Sequence, residues 1–204
     1  MDATCSISAV VFDVDGVLVD VRFPKIFRQS LGISQPDAAE FFEGPFERCL
    51  IGASDLRDEL PPFLEKWKWS GSFEEFLDFW FDEESHLNEP VLAAADRLRS
   101  RGLRCFLAST QESHRAGFLE QRLAVGTRFE KAFFSCRLGF RKPNPAFFLA
   151  VTPEIGLRPA EILLLDDDNA NIESAIGVGW QATQFRIGDD IHALLHAHGI
   201  SPEG

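Results

Sequence analysis

The sequence predicts an α/β protein: a three-layer α/β/α core built on a parallel sheet, with a helical domain inserted into it. Three observations carry this. From residue 90 onward, short apolar runs alternate with helix-period segments, the pattern that builds a parallel sheet covered by helices on both faces. The opening run "AVVFDVD" reads as one more strand of that sheet, yet no ordinary crossover helix follows it. Residues 22 to 90 instead hold ten of the 20 Phe and three of the four Trp, in patches with helical spacing.

The elements follow in order. After the first strand, "AAEFFEGPFERCLIG" and "SFEEFLDFWFDEESHL" read as helices packed on one another, with a tight connection at "DELPPFL". Ser72 and Glu75 stand at capping-box spacing before the second patch. "EPVLAAADRLRSRG" has Pro90 at a helix start and Gly102 at its end, and "LRCFLAS" then reads as a buried strand. A helix through "ESHRAGFLEQRL" leads to the strand "KAFFS", one at "NPAFFLAV" to "EILLLDD", and one at "NIESAIGVG" to "QATQF". "HALLHAH" reads as one edge of a C-terminal helix. The expected division is 1–21 and 90–204 for the sheet core and 22–89 for the helical insertion.

At 204 residues the chain can hold one sizeable core and a second small one. No apolar run approaches the roughly 18 residues that span a bilayer, and the N-terminus "MDATCSISAV" has no export pattern. The expected setting is the cytoplasm, away from membranes. Cys5, Cys49, Cys105 and Cys136 are scattered and read as reduced structural thiols, and the five histidines, His86, His114, His192, His196 and His198, have no metal-ligand spacing. A formal charge of −12 repels polyanions and argues against nucleic acid as a partner. A small anionic substrate would need a local cation.

In a parallel sheet, ligands bind beyond the carboxyl ends of the strands. The first strand ends in Asp13 and Asp15, the second in Ser109 and Thr110, and a later one in Asp166, Asp167 and Asp168, while the loop "GFRKPNPAFF" carries Lys142. An Asp-Gly after a strand is usually only a turn, and a lone Lys-Pro says little. Together, at successive strand ends, the residues point to a site. Crowded carboxylates repel unless a cation sits among them, and oxygen ligands without Cys or His suit magnesium, which usually serves a phosphate group.

"VVFDVDGVL", "FLAST", "RKP" and "LLLDDDNANIESAIGVG" resemble, in order, the four motifs of the haloacid dehalogenase superfamily, mostly magnesium-dependent phosphohydrolases. The resemblance spans the chain and implies a Rossmann-like core whose helical insertion is a cap domain. It implies that Asp13 is the nucleophile and Asp15 the general acid/base. Ser109, with Thr110 beside it, would bind the substrate phosphate, and Lys142 would balance its charge. Asp166 and Asp167, with Asp13 and the backbone carbonyl of Asp15, would hold Mg2+. Asp15 also separates branches, because the family's dehalogenases attack carbon and lack an aspartate there. Thr110 departs from the asparagine common in relatives. Asp168 stands where serine or asparagine is common, and is either a helix cap or a modifier of metal affinity.

The expected activity is hydrolysis of a small phosphorylated metabolite, such as a sugar phosphate, by a monomer or weak dimer. A phosphomutase of the same family and a non-catalytic, regulatory member that keeps the fold are the alternatives; "LASTQ" matches the mutase second motif at three positions. The cap cations Arg22, Lys25, Arg28, Arg48, Arg57, Lys66 and Lys68 read mainly as a solvated face, with one or two able to meet a second acidic group.

Overall fold

Side-chain alternation along three strands explains the layering. In the computed structural model, which describes residues 6–20, 23–83 and 86–200, β1 (Ala9–Phe12), β4 (Arg104–Ser109) and β6 (Ile162–Asp166) lie side by side and parallel. Successive residues of a strand face opposite sides. Val10, Phe12, Leu107 and Leu163 therefore enter one apolar cluster, and Val11, Phe106, Ala108 and Leu164 another. Both faces are covered, so apart from the half-buried Arg104 at the start of β4 these strands are buried rather than alternating with polar residues.

β5 (Ala132–Phe134) and β7 (Gln181–Gln184) complete a five-stranded sheet in the order β5-β4-β1-β6-β7. One face is covered by α7 (Glu89–Ser100), α8 (Ser113–Arg122) and α12 (Ile191–Ala197), the other by α10 (Pro145–Ile155) and α11 (Asn169–Gly177). The short α9 (Ser135–Leu138) follows β5. Helix α10 runs four residues past "NPAFFLAV" and takes in Pro153. The missing N–H falls near the end of the helix, where Gly156 adopts φ +72 and donates to Thr152 O.

Between the first strand and α7, the described residues form α1 (Phe23–Ser30), α2 (Gln35–Phe42), α3 (Pro45–Leu50), α4 (Leu56–Glu59), α5 (Pro61–Lys66) and α6 (Phe73–Glu83). Gly44 and Pro45 split the first aromatic patch into α2 and α3. The capping box before α6 is formed: Ser72 N donates to Glu75 Oε2 at 2.6 Å, and Glu75 N to Ser72 Oγ at 3.1 Å. The aromatic rings make a cluster of their own, in which Phe27 meets Phe42, Trp67, Phe76 and Trp80 at centroid distances of 5.2 to 6.0 Å. Such edge-on pairs add to the burial of the rings.

Unforeseen is a two-stranded antiparallel ribbon of β2 (Val19–Asp20) and β3 (His86–Leu87), which ties the chain where it leaves the sheet to where it returns. The helical block also touches the sheet core directly. Ser135 Oγ donates to Leu50 O at 2.5 Å, Arg141 pairs with Glu47 at 2.6 Å, and His114 meets Asp55 at 2.8 Å. Gly52, at φ +70, comes so close to the core that a Cβ there would stand 2.1 Å from Cys136 O.

Cys49, Cys105 and Cys136 are free thiols, and burial pushes Cys49 and Cys105 up to about 12. Cys5 and Arg22, and the side chain of Lys25, lie outside the described residues. Arg28, Arg48, Arg57, Lys66 and Lys68 are exposed, and three of them are ion-paired within the block: Arg48 with Glu59, Arg57 with Glu74, and Lys66 with Asp37 and Glu40. No helix among the described residues is long and apolar enough to cross a membrane.

Candidate active site

Strand register brings the predicted residues together. Phe12 pairs with Leu107 of β4 on one side and Leu165 of β6 on the other, so the next step along each strand places Asp13 level with Ala108 and Asp166. Asp13 N donates to Leu165 O at 2.9 Å, which carries the ladder one residue past β1 and fixes the Asp13 backbone.

The Asp13 carboxylate accepts from Val14 N at 2.7 Å through Oδ1 and faces Lys142 Nζ at 2.9 Å through Oδ2. Lys142 Nζ also donates to Asp166 Oδ2 at 2.5 Å. The second oxygen of Asp166 accepts from Asp168 N at 3.0 Å and Asn171 Nδ2 at 2.9 Å. Asp13, Lys142, Asp166 and Asn171 are all buried. An unpaired charge there would be costly, and each of the three charged groups has an opposite or hydrogen-bonding partner.

Burial is the main force on Asp13. It raises the acid to about 7, the neighbouring Asp166 and Asp15 charges push the same way, and Lys142 opposes them. Burial would lower the Lys142 ammonium, but Asp13 and Asp166 outweigh it and leave Lys142 above its ordinary value. Asp167 is raised by partial burial and then by Asp166.

Oxygen atoms of Asp13, Asp166 and Asp167 lie within 4.8 Å of one another. The backbone at Gly16, φ +77, approaches them so closely that a Cβ would stand 2.3 Å from Asp167 Oδ2. An all-oxygen donor set of this size fits a hard divalent cation. Asp168 is the N-cap of α11, accepting from Ala170 N at 2.8 Å.

Asp15 is held differently. Arg115 grips both of its oxygens, Nη2 to Oδ1 at 2.7 Å and Nη1 to Oδ2 at 2.8 Å. Gln111 Nε2 adds a bond to Oδ2 at 2.8 Å and reaches Ser109 Oγ at 3.0 Å, so one amide ties Asp15 to Ser109. Arg115 is aimed from the first turn of α8, whose N-terminal amides at His114 and Arg115 are accepted by the buried Glu112. Neither Gln111 nor Arg115 was foreseen. Arg115 stands six residues past the end of β4, and nothing in its local sequence marks Asp15 as its partner.

A cavity of about 700 Å³ opens over these groups. Asp13, Asp15, Ser109, Thr110, Lys142 and Asp167 line it, while Asp166 sits beneath them, fully buried. Arg186 and Ile187, from the segment after β7, form part of its wall and were also unforeseen.

The chain is 24% identical over 203 residues to a phosphorylated carbohydrates phosphatase of Thermotoga maritima, covering 96% of this chain and 91% of the relative. Its fold is similar to that of a haloacid dehalogenase family enzyme of Bacteroides thetaiotaomicron solved with magnesium and inorganic phosphate. The TM-score is 0.80 at 21% identity, covering 93% of this chain and 99% of that one. An L-2-haloacid dehalogenase of Xanthobacter autotrophicus also shares the fold, with a TM-score of 0.63 at 19% identity over 87% of this chain and 77% of that one. The fold alone therefore does not select the reaction. The sequence matches the family described as haloacid dehalogenase-like hydrolase over residues 7–179, and the chain is a member of that family of hydrolases.

Proposed function

We propose that the chain is a magnesium-dependent phosphomonoester hydrolase acting on a small phosphorylated metabolite, a sugar phosphate or similar. One observation carries the reading. The oxygens of Asp13, Asp166 and Asp167 crowd together, and the buried ammonium of Lys142 pairs with the first two, so one positive charge stands against three carboxylates, an excess of two that a divalent cation would match. Asp15 lines the same cavity two residues from Asp13, where a leaving alkoxide would need a proton. The Thermotoga relative, whose name specifies phosphorylated carbohydrates, supports the substrate class.

In this reading Asp13 Oδ attacks phosphorus, and the bond to the leaving oxygen breaks as Asp15, protonated, gives that oxygen its proton. The product on the enzyme is an aspartyl phosphate. Asp15, now ionised, takes a proton from water as the water oxygen attacks phosphorus, and the bond to Asp13 breaks to release inorganic phosphate. Ser109 and Thr110 bind phosphoryl oxygens, and Lys142 holds Asp13 in place and offsets charge that grows as the displacement proceeds. Asp13, Asp166, Asp167 and the Asp15 carbonyl would hold Mg2+, which supplies charge neutralisation at the phosphoryl group. Residues 22–89 act as a cap over the site, with 1–21 and 90–204 as the catalytic core.

The test is phosphate release from a panel of phosphorylated sugars and other metabolites, with magnesium and with excess chelator. Release that requires magnesium is expected. Full turnover in chelator, or no turnover of any phosphoester, would overturn the reading.

A further inference from the structure

Lys142 and Arg186 are the cations lining the active-site cavity among the described residues, and their situations differ. Lys142 is committed to Asp13 and Asp166. The guanidinium of Arg186 makes one hydrogen bond, from Nη2 to Gln184 Oε1 at 2.8 Å, and no ion pair with any described carboxylate. Among the described residues it shares the lack of an ion pair with the exposed Arg99 and Arg122, but unlike them it lines the cavity. Arg48, Arg57, Arg104, Arg128, Arg137 and Arg141 each pair with an acid, and the Arg115 charge is spent on Asp15.

Arg186 is also held in place. Its backbone N–H donates to Asp189 Oδ2 at 2.8 Å, closing the turn that follows β7. Gln184, which accepts from its guanidinium, donates through Nε2 to Asp167 O at 2.8 Å. A relay from the loop that carries the metal-binding acids thus runs through Gln184 to Arg186. Beside it Ile187 leaves 48% of its surface exposed at the cavity wall. The described cap cations take no part in lining the cavity.

We infer that Arg186 forms a second anion subsite, which selects phosphomonoesters whose leaving group carries a further negative charge, a carboxylate or a second phosphate. This rests on the phosphohydrolase reading and deepens it. A phosphoryl group fills little of a 700 Å³ cavity, so the leaving group occupies the remainder, and its far end meets Arg186 and Ile187. An unpaired guanidinium in a strongly acidic protein offers planar, bidentate hydrogen bonding to either oxyanion. The carbon chain between the two anions would lie on Ile187.

Binding of matched phosphonates to the wild-type chain with magnesium tests this without depending on turnover. Each member of a short series of alkyl phosphonates is compared by calorimetry with its ω-carboxyl and ω-phosphono counterparts. At the linker length that spans the site, one charged form should bind roughly 10- to 100-fold more tightly than the neutral form. Which form wins identifies the second anion as a carboxylate or a phosphate. Arg186→Ala should collapse that ratio, and Arg186→Lys should restore part of it. Equal binding of charged and neutral forms at every length would overturn the subsite. So would an Arg186→Ala variant that weakens both forms alike, since Arg186 would then act only through the general field. Phosphate release from a panel of phosphoesters, including ones with a carboxylate or second phosphate on the leaving group, is measured in parallel. Its absence from every member with an intact binding ratio would sink the hydrolase reading and leave the subsite standing.

Discussion

Asp15 and Arg115 face each other through two parallel hydrogen bonds of 2.7 and 2.8 Å, and Arg115 is buried while Asp15 borders the active-site cavity. The pair aims the carboxylate proposed to carry the proton. Gln111, bonded to both Asp15 and Ser109, sets the distance between that carboxylate and the hydroxyl proposed to bind phosphate. Arg115→Ala removes the clamp but leaves Asp15 itself in place. A misaimed proton carrier penalises leaving groups that need protonation, so kcat with an alkyl phosphate should fall by about 10-fold or more, and with p-nitrophenyl phosphate by much less. Equal losses on both substrates would show that Arg115 serves the fold rather than Asp15.

Gly16 offers a test of the metal site that leaves every carboxylate in the chain. A Cβ at this position would stand 2.3 Å from Asp167 Oδ2, and the φ of +77 disfavours any other residue. Gly16→Ala should push Asp167 away from Asp13 and Asp166 and raise the magnesium concentration for half-maximal activity by roughly 10- to 100-fold, the range for disturbing groups that orient metal ligands. Saturating magnesium should recover much of kcat. An unchanged magnesium requirement would remove Asp167 from the ligand set.

The parts of this site that are local in sequence were legible, and the parts that span the chain were not. Asp13, Ser109 and Asp166 could be placed because each closes a short apolar run, and a parallel sheet gathers such ends on one edge. The N-cap role of Asp168 was legible for the same reason, its partner Ala170 being two residues away. Arg115 is 100 residues from Asp15, and no periodicity relates them. Arg186 follows a strand whose end carries no acid or hydroxyl beyond Gln184, so nothing local marked that edge of the cavity. The β2–β3 ribbon pairs two residues with two across the whole helical block, too little sequence to show an alternation.

Asp55 and His114 join the helical block to the core at 2.8 Å, and Asp55 also caps α4 by accepting from Arg57 N at 2.8 Å. Partial burial pushes this carboxyl up, but the Arg57 amide and His114 outweigh it and leave Asp55 below its ordinary 3.8. A carboxyl depressed in the folded state stabilises it above the unfolded value, and that contribution is lost as pH falls through the folded one. Asp55→Asn keeps an oxygen for the cap and removes the charge. It should lower Tm by about a degree or two near pH 7, as for other exposed pairs, and the difference should vanish as pH falls below 3.8. A gap that persists in acid would show that the contact works by shape rather than charge.

Asp13 and Asp15 differ most sharply in what their amides should do. Asp13→Asn keeps the shape and the Val14 N–H contact but removes the attacking carboxylate, so no phosphoenzyme can form and activity should be lost. Asp15→Asn leaves the nucleophile and its Lys142 partner intact, so the two half-reactions should separate. With an alkyl phosphate, formation of the phosphoenzyme should slow by roughly 10²–10⁴-fold, the usual worth of a positioned acid. With p-nitrophenyl phosphate the leaving group departs unaided and the first step should largely survive. Water attack would still lack its base, so the aspartyl phosphate should accumulate. Mass spectrometry of the peptide containing Asp13 would show the addition of one phosphoryl group. An Asp15→Asn variant that hydrolyses alkyl phosphates at the normal rate would reverse the assignment, as would an Asp13→Asn variant that still carries the adduct on this peptide.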